Sequence, residues 1–499
     1  MRKAGFILLI FFGLAVFANV FPLATQKFSL WLHLRAQIHQ IDDLFQAGRY
    51  HAAFLKASDL ATKRDTAQTA RWLGMLQAVR GESSEAERLL RRALWLGLQS
   101  DERDLTLLYL GDLLAKRGES EAALTIWNTL SPCPETIAQT CTYTGPRYIL
   151  QAQIALQQKN YRLARDTYRI SLQFPLPPDW YNLTTYHLVL LHAATDPAGA
   201  LAELESRTDS LETTPLNSLL NPIRPDLGPN TVDDLRAILQ ADSANRNQLL
   251  GQQYLQQQFY DLAETQFSEV GAENPDAIMA AAYAAYARWL AKDRHGGLLR
   301  LEILITLFPE DPHVRTLLAL IYLAQKDLQS VEKQMTLMMQ QYPQRPDTSL
   351  IRAAWYTTKR DYVKASAEYQ QALNLAPASR RGKFALLVAR FHLHTGFEIC
   401  TKGAKVAKEA IMLLPNEALA WETLAANQYR CGDFQGAIET AQQALTYTKS
   451  AETTFYLGAA LRATGSKEAA QAALVQAADL APASVWREKA EELLGEMGR

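Results

Sequence analysis

Four cysteines and nine histidines carry most of the chemistry this 499-residue sequence could offer. Cys133 and Cys141 sit in one short segment, and Cys400 and Cys431 stand 31 residues apart. Two pairs with no thiol left over suit two disulfides in an oxidising compartment; the alternative is four buried thiols. No Cys-x-x-Cys occurs, so zinc binding and dithiol redox catalysis are not expected. The histidines do not converge: His392 and His394 point to different sides of a helix, and His187 and His192 are five apart. No His-Glu-x-x-His, phosphate-binding loop, Gly-x-Ser-x-Gly or Gly-x-Gly-x-x-Gly is present. Carboxylate pairs such as Asp42-Asp43 and Asp233-Asp234 fit helix starts better than catalytic dyads. The expectation is a protein that is not an enzyme, with no cofactor, no metal and no small-molecule substrate.

The elements that would position such residues are helical. Hydrophobic residues make up 48% and charged ones 21%, which argues for a folded chain with a large core. Glycine, at 24 of 499, is sparse, and turn-bounded alternating runs are few. Lys and Arg number 51 against 52 Asp and Glu, so no global field is available to hold nucleic acid.

The N-terminus stands apart. Arg2 and Lys3 precede an uncharged stretch from Ala4 to Gln26, long enough to span a membrane. A retained anchor is favoured by the continued apolar run from Val20 to Ala24 and by the interfacial aromatics Phe28 and Trp31. Val16 and Ala18 before Asn19 leave open a cleaved signal peptide. The expected location is a membrane, with one span and the bulk outside the cytoplasm; the alternative is a secreted or periplasmic protein.

Beyond this stretch the sequence repeats. Pro275, Pro309, Pro343 and Pro377 are each 34 residues apart. In the same frame run Gly251, Ala285, Ala319 and Ala353, and, sixteen positions on, Phe267, Leu301, Met335 and Tyr369. Each unit predicts two amphipathic helices, with small residues allowing close crossing and a proline ending the second. Clearer copies lie at Trp421, Leu424, Ala425, Gly432, Phe434, Ala437 and Ala444, and at Leu457, Gly458, Gly465, Ala470, Ala477 and Pro482. The pattern resembles the tetratricopeptide repeat. The resemblance implies an all-α fold, a right-handed superhelix of about twelve helix-turn-helix units, preceded here by one transmembrane helix. The reading divides the chain into a membrane segment (1–26), a degenerate N-terminal block (27–205), a Pro-rich connector with a short helix (206–243), a C-terminal block (244–484) and a capping helix (485–499). Pro377 to Pro415 runs longer than one period, which predicts an insertion around Gly396.

Such arrays present a concave face built from the first helix of each unit, suited to peptides and partner proteins. Groove-facing offsets fall on Tyr286 and Trp289; on Glu422, Tyr429 and Arg430; and on Glu452, Phe455 and Arg462. Trp289 and Phe455 fit a core position equally well. Chaperone-binding members of the family clamp a C-terminal carboxylate with Lys and Asn, but Glu422 and Ala426 occupy those offsets here. In repeat geometry Cys400 begins a second helix and Cys431 ends the next first helix, on one edge of adjacent units. The sequence therefore points to a membrane-tethered protein-binding scaffold for an envelope or secretory complex. Its rivals are a soluble exported adaptor or chaperone and an accessory subunit of glycan-polymer synthesis or export.

Overall fold

The computed structural model describes residues 33–133, 141–207, 218–225, 231–274 and 277–498. Among them it holds 26 α-helices and no strand. Twenty-four helices form twelve successive helical hairpins. The first five comprise 33–46 with Tyr50–Lys63, Ala67–Val79 with Ser83–Leu96, Ser100–Lys116 with Ser120–Trp127, Thr144–Gln157 with Tyr161–Ser171, and Pro178–Ala193 with Pro197–Glu205. The next four are Ser243–Gln256 with Tyr260–Glu273, Ile278–Leu290 with Arg294–Leu307, Pro312–Ala324 with Leu328–Gln341, and Pro346–Thr358 with Tyr362–Leu375. The last three are Ala378–Thr395 with Ala404–Leu413, Ala418–Arg430 with Phe434–Tyr447, and Ala451–Ala463 with Lys467–Leu480. Helices Val232–Leu239 and Val485–Met497 stand outside the hairpins. The expected membrane segment, 4–26, and the column residue Pro275 lie outside the described residues. Among those described, no helix is long and apolar enough to cross a membrane.

The small-to-large columns explain why the helices pair. A Cβ on Gly251 would stand 2.8 Å from the Phe267 ring, and one on Gly111 would sit 2.1 Å from the Trp127 indole nitrogen. Gly74 faces Leu90 and Gly458 faces Leu474 in the same way. Each glycine lets a large side chain sixteen residues later press against backbone, so one hairpin closes around one such pair. The turns are equally regular. Gly432 at φ 79°, and Lys326 and Arg360 at φ 59°, take the left-handed conformation, and the Asp that follows each caps the second helix. In the tenth hairpin the extra residues form a left-handed Gly396 and a wide turn at Ile399–Gly403 before the second helix.

Two features of the path concern function. The connector turns inward: Leu219, Leu220 and Ile223 are buried, and the Tyr109 hydroxyl donates to the Leu219 carbonyl across first helix Ser100–Lys116. Arg224 pairs with Asp179 at the start of the fifth hairpin. Connector side chains thus fill space against the first helices of the third and fifth hairpins, and a single apolar cluster runs from Ile41 to Ala287.

The second feature is closure. The last helix does not end the array in solvent; it meets the first two hairpins. Arg80 donates from both terminal nitrogens to the Glu491 carboxylate, at 2.7 and 3.1 Å, and His51 Nδ1 lies 3.1 Å from the same group. The His51 backbone N–H donates to Asp479 at 2.6 Å, Arg487 reaches Glu82 at 3.6 Å, and Gly81 lies against Ala483. The two ends of the chain's array are joined in a polar seam.

Candidate groove of the C-terminal hairpins

The connector packs on the first helices of the third and fifth hairpins, while a cluster of charged and aromatic side chains forms on the first helices of the last three hairpins and the closing helix. Helix 378–395 supplies Arg390 and His394, helix 418–430 supplies Glu422 and Tyr429, helix 451–463 supplies Glu452 and Tyr456, and helix 485–497 supplies Trp486 and Lys489. Tyr456 is the hub. Its ring centroid lies 5.5 Å from those of both Tyr429 and Trp486, and the Lys489 ammonium stands 4.3 Å over Trp486. Packed at tilted angles, the aromatics are half-buried and keep an amphipathic surface.

The charges are coupled across four helices. Burial pushes the Glu452 carboxyl above its usual range and the neighbouring Glu422 raises it further, while Arg390 and Lys489 pull it back. Burial, then Glu452, pushes Tyr456 up to about 12. Burial holds His394 below its ordinary value, with Arg390 and Arg430 acting in the same direction. Among the described residues neither Glu422 nor Glu452 has an ion pair, and the cations facing Glu452 are Arg390 and Lys489.

The structure divides the sequence-derived candidates. Glu422, Tyr429 and Glu452 come together in this cluster. Phe455 does not line the groove: it is 8% exposed and packs on Trp486, because its offset faces the closing helix. Arg430 donates to the Leu393 carbonyl, bracing the C-terminus of the helix in the preceding hairpin. Arg462 pairs with Glu496 at 2.8 Å. Tyr286 and Trp289 stack on each other, 6.1 Å apart, in the seventh hairpin and take no part in the cluster. Arg390, His394, Tyr456, Trp486 and Lys489 escape a reading by repeat offsets. The tenth hairpin has a longer first helix, and the closing helix is not a repeat unit.

The cysteines lie at the edges. Cys400 and Cys431 are joined with Cα atoms 5.4 Å apart, between the turn of the tenth hairpin and the end of helix 418–430. Cys133 and Cys141 are joined around a segment outside the described residues, with Cα atoms 6.0 Å apart. Among the described residues no group of His, Cys, Asp and Glu is arranged to hold a metal ion. His187 is a core residue: burial pushes its pKa down to about 4, and its ring packs on Tyr168, Tyr186 and Phe259.

No family model and no curated protein matches the chain. Among solved structures it is similar to the APC/C hetero-tetramer Cut9-Hcn1, at 14% identity over 93% of this chain and 96% of that one, with a TM-score of 0.34. It is also similar to Pseudomonas aeruginosa pilF, at 12% identity, 44% and 98% coverage and a TM-score of 0.37. For PilW, a type IV pilus biogenesis factor, the values are 14%, 51%, 99% and 0.34.

Proposed function

We propose that this protein is a non-catalytic scaffold that holds a partner protein or peptide in the concave groove of its last three hairpins. The observation carrying the reading is the Glu422, Glu452, Tyr429, Tyr456 and Trp486 cluster, where two neighbouring first helices and the closing helix converge on one surface. Paired acids beside half-buried aromatics suit a segment with a basic side chain next to an apolar or aromatic one. The repeat pattern supports an interaction role, and residues 4–26 support tethering to a membrane, with the array on the far side from the cytoplasm. Two joined cysteine pairs suit that compartment. In this reading the partner belongs to an envelope or secretory assembly.

Site-specific photocrosslinking tests the groove. A photoreactive residue at Glu422 is expected to capture a partner that the same residue at Val363, exposed on a second helix, does not capture. Identical captures from both positions would remove the groove reading. Recovery of the full-length protein wholly in the soluble fraction would remove the tether.

A further inference from the structure

A second binding feature lies at the other end of the chain, independent of the C-terminal groove. The first helices of the first two hairpins and the loop before Ser100–Lys116 enclose a cleft of about 610 Å³, within the size range of small-ligand and peptide sites. Arg71, on helix Ala67–Val79, lines it and is only 6% exposed. Among the described residues its guanidinium makes no ion pair and no hydrogen bond, and its buried Nε has no partner. The Trp72 ring lies 4.6 Å from the guanidinium carbon. Burial pushes the Arg71 pKa down, with Glu102 and Asp42 opposing at longer range.

A buried guanidinium without a hydrogen-bonded counter-charge is costly to folding, since it gives up hydration without gaining an ion pair. Buried arginines are retained where planar, bidentate recognition of an oxyanion is needed. The chain's first 32 residues, which lead into the helix lining the cleft, contain no Asp or Glu and so hold no carboxylate to offer it. The lining also limits the charge of the ligand. Arg35 and Arg71 are balanced by Asp42 and Glu102, with His39 beside them. One added negative charge at Arg71 is favourable, whereas a phosphate dianion would face both carboxylates. Leu34, Ile38 and Trp72 supply an apolar wall.

We propose that this cleft binds a partner peptide by one acidic side chain, whose carboxylate takes a bidentate bond from Arg71 while flanking apolar residues lie on Leu34, Ile38 and Trp72. The peptide's own C-terminus is not required, because a single side-chain carboxylate satisfies the arginine.

The test uses the full chain and two pools of heptapeptides, N-acetylated and C-amidated, apolar at six positions and carrying Glu or Gln at the centre. The Glu pool is expected to bind at least tenfold more tightly than the Gln pool, and Arg71→Gln is expected to abolish that preference. A thermal melt supplies the second reading. Arg71→Leu is expected to melt at the same temperature as the parent or higher, as for the loss of an unpaired buried charge. Equal binding of the two pools, absence of binding by both, or a preference that survives Arg71→Gln overturns the proposal. So does a lowered melting temperature for Arg71→Leu, which would make Arg71 a structural charge held by Asp42 and Glu102. Tighter binding of a phosphoserine pool would overturn the single-charge reading.

Discussion

Glu491→Gln should open the seam that joins the two ends of the array. In the parent, Glu491 accepts two bonds from Arg80 and lies against His51; the Arg80 and Glu491 side chains are 12% and 25% exposed. Exposed ion pairs contribute roughly 0 to 1 kcal/mol, and removing one member of a fully buried pair costs about 3 to 5 kcal/mol. This pair lies between, so a loss of about 2 kcal/mol is expected. The neutral amide can accept one bond, but it leaves Arg80 half-paired above the Phe54 ring, 4.1 Å away. At about 1.4 kcal/mol per factor of ten, the open population rises roughly thirtyfold. Because only terminal hairpins separate, the effect belongs to local opening and not to global unfolding. Amide hydrogen exchange should therefore accelerate by about that factor in 50–63 and 485–497, while amides in 312–324 exchange as before. Small-angle scattering should show a larger radius of gyration. Less than a threefold change at the seam, or equal acceleration in 312–324, would refute the reasoning.

The same seam should respond to pH in both directions. Burial raises the Asp479 pKa to about 6, so its contribution is full below about 3.8 and is lost as pH rises through 6. Burial would also raise Glu491, but the bonds from His51 and Arg80 and the charges of Arg80 and Arg487 outweigh it and hold it at about 2. Its contribution is present above about 4.5 and is lost as pH falls through 2. Seam protection, normalised to 312–324, should peak near pH 4 to 5, and Asp479→Asn should abolish the decline toward pH 7; a peak at neutral pH in the parent contradicts the Asp479 shift. Gly297→Ala should lower stability by roughly 1 to 3 kcal/mol or more, because its Cβ would meet the Trp289 nitrogen at 2.5 Å and the Ala285 carbonyl at 2.7 Å, and backbone cannot swing away. Gly271→Ala, with nothing within 4 Å of the new carbon, should gain about 0.5 to 1 kcal/mol by helix propensity; denaturant melts check the pair. Cys400→Ser with Cys431→Ser removes a 31-residue closed loop and should cost roughly 2 to 4 kcal/mol in non-reducing melts, with no difference from the parent under reductant.

What the sequence made legible was whatever repeats locally. The columns Gly251 to Ala353 and Phe267 to Tyr369 stand sixteen residues apart because each pair is one contact inside one hairpin, and Gly251 against Phe267 shows it directly. Gly432, named in the repeat pattern, takes the left-handed turn position, and Lys326 and Arg360 take it without a glycine to announce it. The groove was readable only in part. Offsets identified Glu422, Tyr429 and Glu452 but also named Phe455, which packs on the closing helix, and Arg430, which braces the preceding hairpin. The burial of Leu219 and Leu220 against Tyr109, and the meeting of Arg80 with Glu491, span 110 and 411 residues. They follow from the sum of many small rotations between neighbouring hairpins, and no local spacing encodes that sum.

Closure changes what the concave face can accept. In an open array, every added hairpin extends the same groove, so chain length measures binding surface. Here the connector takes up space against the first helices of the third and fifth hairpins, and the seam holds hairpins one and two against helix 485–497. The two candidate surfaces are at opposite ends of the sequence: the Arg71 cleft in hairpins one to three and the Glu422–Glu452 cluster in hairpins ten to twelve. The seam makes them neighbours in the ring, since helix 485–497 carries Trp486 and Lys489 of the cluster and also Glu491 of the seam. A partner that engages Trp486 therefore acts on a helix whose other residues hold the ring shut. If that partner binds the closed ring better than the open one, linkage requires that it also protect the 50–63 amides from exchange, although it touches none of them. Tightened exchange at 50–63 on partner binding to the parent, absent in Glu491→Gln, is the signature of that coupling; protection confined to the last three hairpins and the closing helix would show that groove and seam act separately.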